Sequence, residues 1–300
     1  MFSRRHPFLF FTMIMSAIAT SFMIFLIAIV IASSALVKSD FTASRLHNDA
    51  NIGVVEIIGP IVSSKEVIEH IKSFRDKNSI KAIVVRIDSP GGGVGPSQEI
   101  YKEILKVRKI KKVVASMGSV AASGGYYAAA SCDGIVANPG TITGSIGVIM
   151  EYANFQKIVE KIGLSPIVIK SGEYKDIGSP MRDIKENERK LLQNVVNEIH
   201  GQFVRDTAKG RNIAIETMTK LADGRIYTGE SALSLKLVDK LGNLDDAVEW
   251  AGELAGVKGK LKIAYPEEDK SEFLKKLVTS LFKDANISST IANYFRYVIN

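Results

Sequence analysis

The sequence predicts an α/β domain with a largely parallel sheet, set behind an N-terminal helix that crosses a membrane. Two observations predict this. From residue 51 onward, β-branched apolar runs alternate with segments of helical apolar spacing, the pattern of strands joined by crossover helices. Before that, residues 7–37 (PFLFFTMIMSAIATSFMIFLIAIVIASSALV) carry no charge at all. A membrane-spanning helix needs roughly 20 apolar residues, and a secretory apolar region runs to only about 7–15, so this run reads as an uncleaved signal-anchor. A cleaved signal cut near Ala32–Ala35 is the alternative. Arg4 and Arg5 precede the run, which holds the N-terminus in the cytoplasm and places the rest of the chain on the extracytoplasmic side.

The elements follow in order. Residues 38–50 are polar and read as a linker. NIGVVEIIGPI (51–61) is a strand, and SKEVIEHIKSFRDK (64–77) a helix with apolar positions Val67, Ile68, Ile71 and Phe74. KAIVVRI (81–87) is the next strand, followed by the sharp loop DSPGGGVG (88–95) and the helix 97–109. KKVVASM (111–117) is a strand, a helix opens at Ser123, and DGIVANP (133–139) is another strand. A helix is expected over 154–163 and a strand over SPIVIK (165–170). A long amphipathic helix covers 183–209, stopped by GRN, with shorter helices at 216–221, 229–235 and 244–254. Residues 262–265 make a last short strand, and the tail beyond them has helical apolar spacing. The domain boundaries expected are 1–37 for the cytoplasmic tip and anchor, 38–50 for the linker, 51–255 for the α/β domain and 256–300 for a C-terminal extension.

Composition excludes several functions. The net charge is +7, but the basic residues are dispersed and form no run interleaved with aromatics, so nucleic acid is not an expected partner. The single cysteine, Cys132, cannot form an intrachain disulfide, and no metal-spaced Cys/His set exists; Cys132 reads as a small buried apolar residue. No metal and no cofactor are expected.

The candidates for chemistry are few. Residues 118–130, GSVAASGGYYAAA, set Ser123 before two glycines, which helices rarely carry because each costs about 1 kcal/mol against alanine. Either close packing or the approach of a ligand to the backbone explains them. Of the four histidines, His6, His47, His70 and His200, none lies in a glycine-rich loop. A serine nucleophile would then need another base, and a desolvated lysine can serve. Most lysines lie on amphipathic helices. Lys175 lies instead in KSGEYKDIGSP (170–180), between Gly172 and Gly178, although spacing alone favours a charged surface turn there. The amides of DSPGGGVG could cradle a phosphate or hold a developing oxyanion; the order of a dinucleotide or P-loop motif is absent. Ser123 also lacks the GxSxG context of an α/β-hydrolase elbow.

Together these segments resemble the signal peptide peptidase A family (protease IV-like, peptidase family S49). DSPGGG (88–93), MGSVAASGGYYAA (117–129), PGTITGSIGV (139–148) and SGEYKDIGSP (171–180) carry the resemblance, with ADGRIYTGESALSLKLVDKLG (222–242) matching the downstream signature. It runs from about residue 51 to 255. The resemblance implies a crotonase/ClpP-like α/β fold and a Ser-Lys dyad. Ser123 falls on the family's nucleophile and Lys175 on its general base. The backbone amides of Gly92 and Gly124 fall on the oxyanion hole, and Ser145 on a serine that hydrogen-bonds the lysine. One departure is visible: Lys236 stands where the family usually has a glycine before Leu-Val-Asp.

With one catalytic copy and a membrane segment, the chain resembles the family's short form. That form implies a ring-shaped homo-oligomer, an octamer, in which serine and lysine of one site come from neighbouring subunits. The implied activity is a membrane-anchored serine endopeptidase that degrades cleaved signal peptides and other apolar peptides. Three other readings compete: a peptidase of the same fold dedicated to one membrane protein, an inactive scaffold, and an acyl-CoA enzyme of the same fold. An extracytoplasmic domain speaks against the last, because CoA is a cytoplasmic cofactor.

Overall fold

In the computed structural model, residues 49–266 are described, together with eight helical positions between Phe8 and Ile24. Two units divide the chain at Ala50/Asn51. The apolar run 7–37, the linker and the tail beyond residue 266 lie almost wholly outside the described residues. Among the described residues, no helix is long and apolar enough to cross a membrane.

Strands β1 (Ile52–Ile58), β2 (Ala82–Ser89) and β3 (Lys112–Ala122) pair in parallel at the centre of an eight-stranded sheet. Apart from Ile58 and Val120, their Ile, Val and Ala residues are buried on both faces, as parallel strands between helices require. One face carries Ile52, Val54, Val84, Val114 and Val136 against helix α8 (Leu244–Leu254), through Ala247, Val248 and Ala251. The alternate residues face the other way. There α1 (Lys65–Asp76) lays Phe74 against Gly53, where any Cβ would sit 2.5 Å from the ring. The helices α2 (Val94–Val107) and α3 (Gly124–Ala129) follow β2 and β3.

The sheet forks at β3. Val114–Met117 pair with β4 (Gly134–Ala137), whereas Val120–Ala122 pair with β5 (Ile142–Gly144). On its other side β3 slips against β2, so that one residue of β2 between Ile87 and Ser89 faces three of β3 between Met117 and Ala121. Asp88 fills this bulge: its Oδ1 accepts from Val120 N–H at 3.1 Å, and Gly118 leaves it room, since a Cβ there would meet its Cγ at 2.8 Å. Thr141 and Thr143 donate hydroxyl hydrogen bonds to Gly118 O and Ala121 O, which seals the fork from the β5 side. The antiparallel β6 (Ile226–Thr228) closes that edge, β7 (Lys240–Leu241) extends β4, and β8 (Ile263–Ala264) flanks β1.

Four differences from the sequence expectation matter. The strand expected to stop at Met117 runs on to Ala122, because the fork supplies β5 as a new partner. Helix α2 opens at Val94, inside the glycine-rich loop, with Pro96 in its first turn where a missing N–H costs nothing. The helix expected over 154–163 is shorter, α4 (Gln156–Lys161). No strand forms over 165–170; the segment is exposed, with Ile167 at 88 % and Ile169 at 97 %. Among the described residues its β propensity meets no partner strand. The long helix appears as α5 (Glu186–Arg211), followed by α6 (Ile215–Leu221) and α7 (Gly229–Ser234).

Lys236 resolves the departure noted above. Its φ is +62°, in the left-handed region that glycine adopts freely, and its carbonyl accepts from Arg211 Nη2 at 3.0 Å. The turn keeps a glycine's geometry with a lysine in it, at a cost. Lys236→Gly is therefore expected to raise stability by about 0.5–1 kcal/mol, read as a higher urea midpoint at unchanged slope.

Candidate active site

Ser123 is the single residue between β3 and α3, and it makes the turn with φ 51° and ψ −119°. Non-glycine residues at positive φ are uncommon and costly. Four occur among the described residues, and two of them, Ser123 and Ser145 (φ 50°), are neighbours across the β3–β5 ladder. Ser123 N–H donates to Gly144 O at 2.8 Å, and Ser145 follows Gly144 directly. The turn is a strand-to-helix elbow despite the missing GxSxG signature. The crowded positions two before and two after the serine are filled by Ala121 and Gly125, and a Cβ on Gly125 would sit 3.0 Å from Ser89 O.

The glycine-rich loop closes on this turn. Ile61 N–H donates to Gly91 O and Gly93 N–H donates to Ile61 O, which moors the loop to the chain beyond β1. Between those two bonds the Gly92 amide makes no backbone hydrogen bond, and Gly92 is exposed. Gly124 N–H opens α3, one of the donors that no helix satisfies internally. The two amides are close together: a Cβ built on Gly124 would lie 3.3 Å from Gly92 N, and one on Gly91 would lie 2.7 Å from Gly124 N. Two unengaged N–H groups beside a strained serine are what an oxyanion hole requires. Ser123 Oγ makes no hydrogen bond to any described residue, and it is half-buried.

Helix α3 is fixed from behind. Tyr126 O–H donates to Leu237 O at 2.9 Å, and burial pushes its phenol far above the ordinary range. Tyr127 O–H donates to Asp206 on α5 at 2.5 Å and stacks on Phe203 with ring centroids 4.3 Å apart. Tyr101 of α2 meets Tyr127 edge-on at 5.2 Å, with its own phenol raised to about 12 by burial. Three helices are thereby pinned around the Ser123 turn. Cys132 is buried, its thiol raised to about 12 by burial, which leaves it inert as expected. Neither described histidine, His70 or His200, is hydrogen-bonded to Ser123; His200 Nε2 is buried without a partner.

Lys175 makes no hydrogen bond to Ser123. It is exposed in a turn, its N–H donating to Gly172 O, and its ammonium has no hydrogen bond or ion pair among the described residues. Its surroundings are heavily bonded. Asp176 is gripped by Arg182 Nε at 2.8 Å and Lys170 Nζ at 2.5 Å. Arg182 reaches on to Glu188, the buried first-turn acid of α5, at 2.6 Å. Arg182, then Lys170, hold the Asp176 carboxyl well below the usual carboxylate range. Glu188 is lowered to about 2 by Arg182 and by the Lys185 backbone N–H. This clamp was not expected from the sequence, since residues six apart in a loop follow no helical or strand period. Both acids are lowered in the folded state. Their stabilisation is therefore complete above the ordinary carboxylate pKa of about 4 and is lost as pH falls towards 2. Pepsin is expected to cut the 170–188 segment faster, relative to an unstructured control peptide, only over that acid range.

Two peptidase family models match this chain, and several of its relatives are named as proteases. The model of peptidase family S49 matches residues 106–258, and that of Clp protease matches residues 37–141. A Synechocystis protein named as a candidate protease is 49 % identical over 208 residues, 69 % of this chain and 75 % of the relative. An Enterococcus faecium protein named as a candidate signal peptide peptidase A is 39 % identical, over 60 % of this chain and 52 % of its own length. The chloroplastic serine protease SPPA of Arabidopsis thaliana is 34 % identical over 78 % of this chain, which spans only 34 % of that relative.

Proposed function

The chain belongs to peptidase family S49 and is a serine peptidase, and we propose that it is a membrane-anchored endopeptidase in which Ser123 and Lys175 form the catalytic dyad. The observation that carries this reading is the elbow itself: Ser123 at φ 51°, beside the unengaged amides of Gly92 and Gly124. The neutral Lys175 amine takes the Ser123 hydroxyl proton as Oγ attacks a peptide carbonyl. The Gly92 and Gly124 amides bind the oxyanion, and lysine returns the proton to the leaving amine. Water, activated by the same amine, then releases the acyl group. Ser145, one residue beyond the carbonyl that holds Ser123 N–H, hydrogen-bonds the lysine.

The lysine comes from a neighbouring copy in a ring-shaped homo-oligomer, in the octameric form the family resemblance suggests. Two features support this. Lys175 is exposed and unpaired among the described residues, and Ile149, Ile158, Ile162, Ile167 and Ile169 in the segment before it are 60–97 % exposed. A soluble surface rarely presents so many large apolar side chains together without covering them. The substrates are cleaved signal peptides and other apolar peptides. They are met at the extracytoplasmic membrane surface, where residues 1–37 anchor the enzyme and no cofactor takes part. The test uses the full chain in detergent with a quenched apolar peptide. Cleavage that rises with pH on its acid limb, as the base loses its proton, supports the reading. A rate that is flat from mildly acidic to alkaline pH contradicts a lysine base, and an enzyme inert on every apolar peptide points to a dedicated protein substrate.

A further inference from the structure

We infer that Arg182 is a positioning residue for the catalytic lysine, acting by diverting the Asp176 carboxylate away from Lys175. This rests on the dyad reading above and adds to it what keeps the lysine usable as a base.

Asp176 is the next residue in the chain after Lys175, in the same turn. A carboxylate beside a lysine stabilises the ammonium form and so opposes its use as a base. Here Asp176 is spoken for on both sides. Lys170 donates to its Oδ1, and Arg182 binds Oδ2 through Nε and Oδ1 through Nη2, at 2.8 and 3.0 Å. Arg182 Nη2 also takes the Asp176 carbonyl at 3.2 Å, so the guanidinium fixes backbone and side chain of the residue next to the base. A planar fork with five donors suits this double grip, where a lysine would not. The other acids of the segment are also engaged. Glu173 accepts from Asn187 at 3.0 Å, Asp183 accepts from Asn154 at 2.6 Å, and Glu188 of α5 holds Arg182 through both oxygens. Glu188 is in turn fixed by Lys185 N–H at 2.9 Å. Every carboxylate of the 170–188 segment has a partner other than Lys175, the exposed Glu186 pairing with Lys190. Among the described residues, the Lys175 ammonium has no carboxylate partner, and the acids nearest it in the chain are held elsewhere.

The experiment measures the pH dependence of kcat for the full-length enzyme on a quenched apolar peptide. The wild type is compared with Arg182→Gln, Arg182→Gln/Asp176→Asn, Lys170→Gln and Lys175→Ala. Freeing Asp176 favours the protonated lysine, so the acid limb of Arg182→Gln is expected to move to higher pH by about one unit. Removing the freed acid in the double variant returns the limb to its wild-type position. Lys170→Gln, which takes away one of the two cations, moves the limb in the same direction by less. A purely structural role would lower kcat at all pH values without moving the limb, and that result overturns the inference. So does a shifted limb that Asp176→Asn fails to restore. If Arg182→Gln does not fold, Lys170→Gln decides alone: an unmoved limb refutes the diversion. Failure of the dyad reading shows separately, as Lys175→Ala retaining the wild-type rate.

Discussion

Ser123→Ala is expected to lower peptide cleavage by roughly a thousandfold or more while leaving the fold intact. The serine holds φ 51° and ψ −119° because the turn must reverse β3 into α3 within one residue. Its N–H is tied to Gly144 O, and its carbonyl accepts from Tyr127 N–H at 2.8 Å. None of these bonds uses the hydroxyl, so alanine keeps all of them. Strain of this kind costs about 1–3 kcal/mol and is characteristic of functional sites. Ser123→Gly is therefore expected to be equally inactive but more stable than wild type, by about 1 kcal/mol. Activity on an apolar peptide and a urea midpoint for the three proteins check both halves. A glycine variant no more stable than wild type would show that the turn is not strained.

Gly92→Ala is expected to reduce kcat by roughly 100- to 1000-fold, the usual cost of losing one oxyanion donor. A Cβ at residue 92 would fall 2.3 Å from Ile61 O and 2.6 Å from Ile61 N. Both obstacles are backbone, held by the paired bonds from Ile61 N to Gly91 O and from Gly93 N to Ile61 O. No side chain can rotate away, so the loop must lift and carry the Gly92 amide out of line with Gly124. Gly95→Ala is the control. It changes the same glycine-rich stretch, but a Cβ there meets nothing within 4 Å, and activity should be unchanged. The expected signature is a loss in kcat at near-constant KM, since the amide acts on charge that develops only in the transition state.

Much of the fold was legible in the sequence because local pattern and tertiary context agree there. The β1–α1–β2–α2–β3 order follows from buried β-branched runs and amphipathic helices, and α8 matches its expected bounds, capped by Asn243. What failed to show depended on partners distant in sequence. The extension of β3 to Ala122 and the three-residue β5 exist because the sheet forks around a bulge that Asp88, Thr141 and Thr143 fill. No window of sequence contains that pairing. Residues 165–170 show the converse, a strand-like composition that pairs with no strand among the described residues.

The site divides the same way. Ser123, Gly92 and Gly124 were singled out as a hydroxyl and glycines in improbable places, and the resemblance assigned their roles; the structure gathers these three at one turn. The geometry of the elbow was not legible, because its small residues are Ala121 and Gly125 rather than the glycine pair of the familiar signature. Nor was the Arg182–Asp176–Lys170 clamp, whose members stand six residues apart in a loop. Tyr127 and Asp206 are 79 residues apart, and nothing in either segment announces the other.

The most direct test of the dyad is to mix two inactive proteins. Ser123→Ala and Lys175→Ala are each purified as full chains, dissociated, combined and reassembled, and cleavage of the apolar peptide is measured. The account predicts that each is dead alone and that the mixture recovers a substantial fraction of wild-type activity, because an intact Ser123 on one copy meets an intact Lys175 on the next. Full activity of Lys175→Ala alone, or a mixture of two dead, assembled proteins that stays dead, would contradict it.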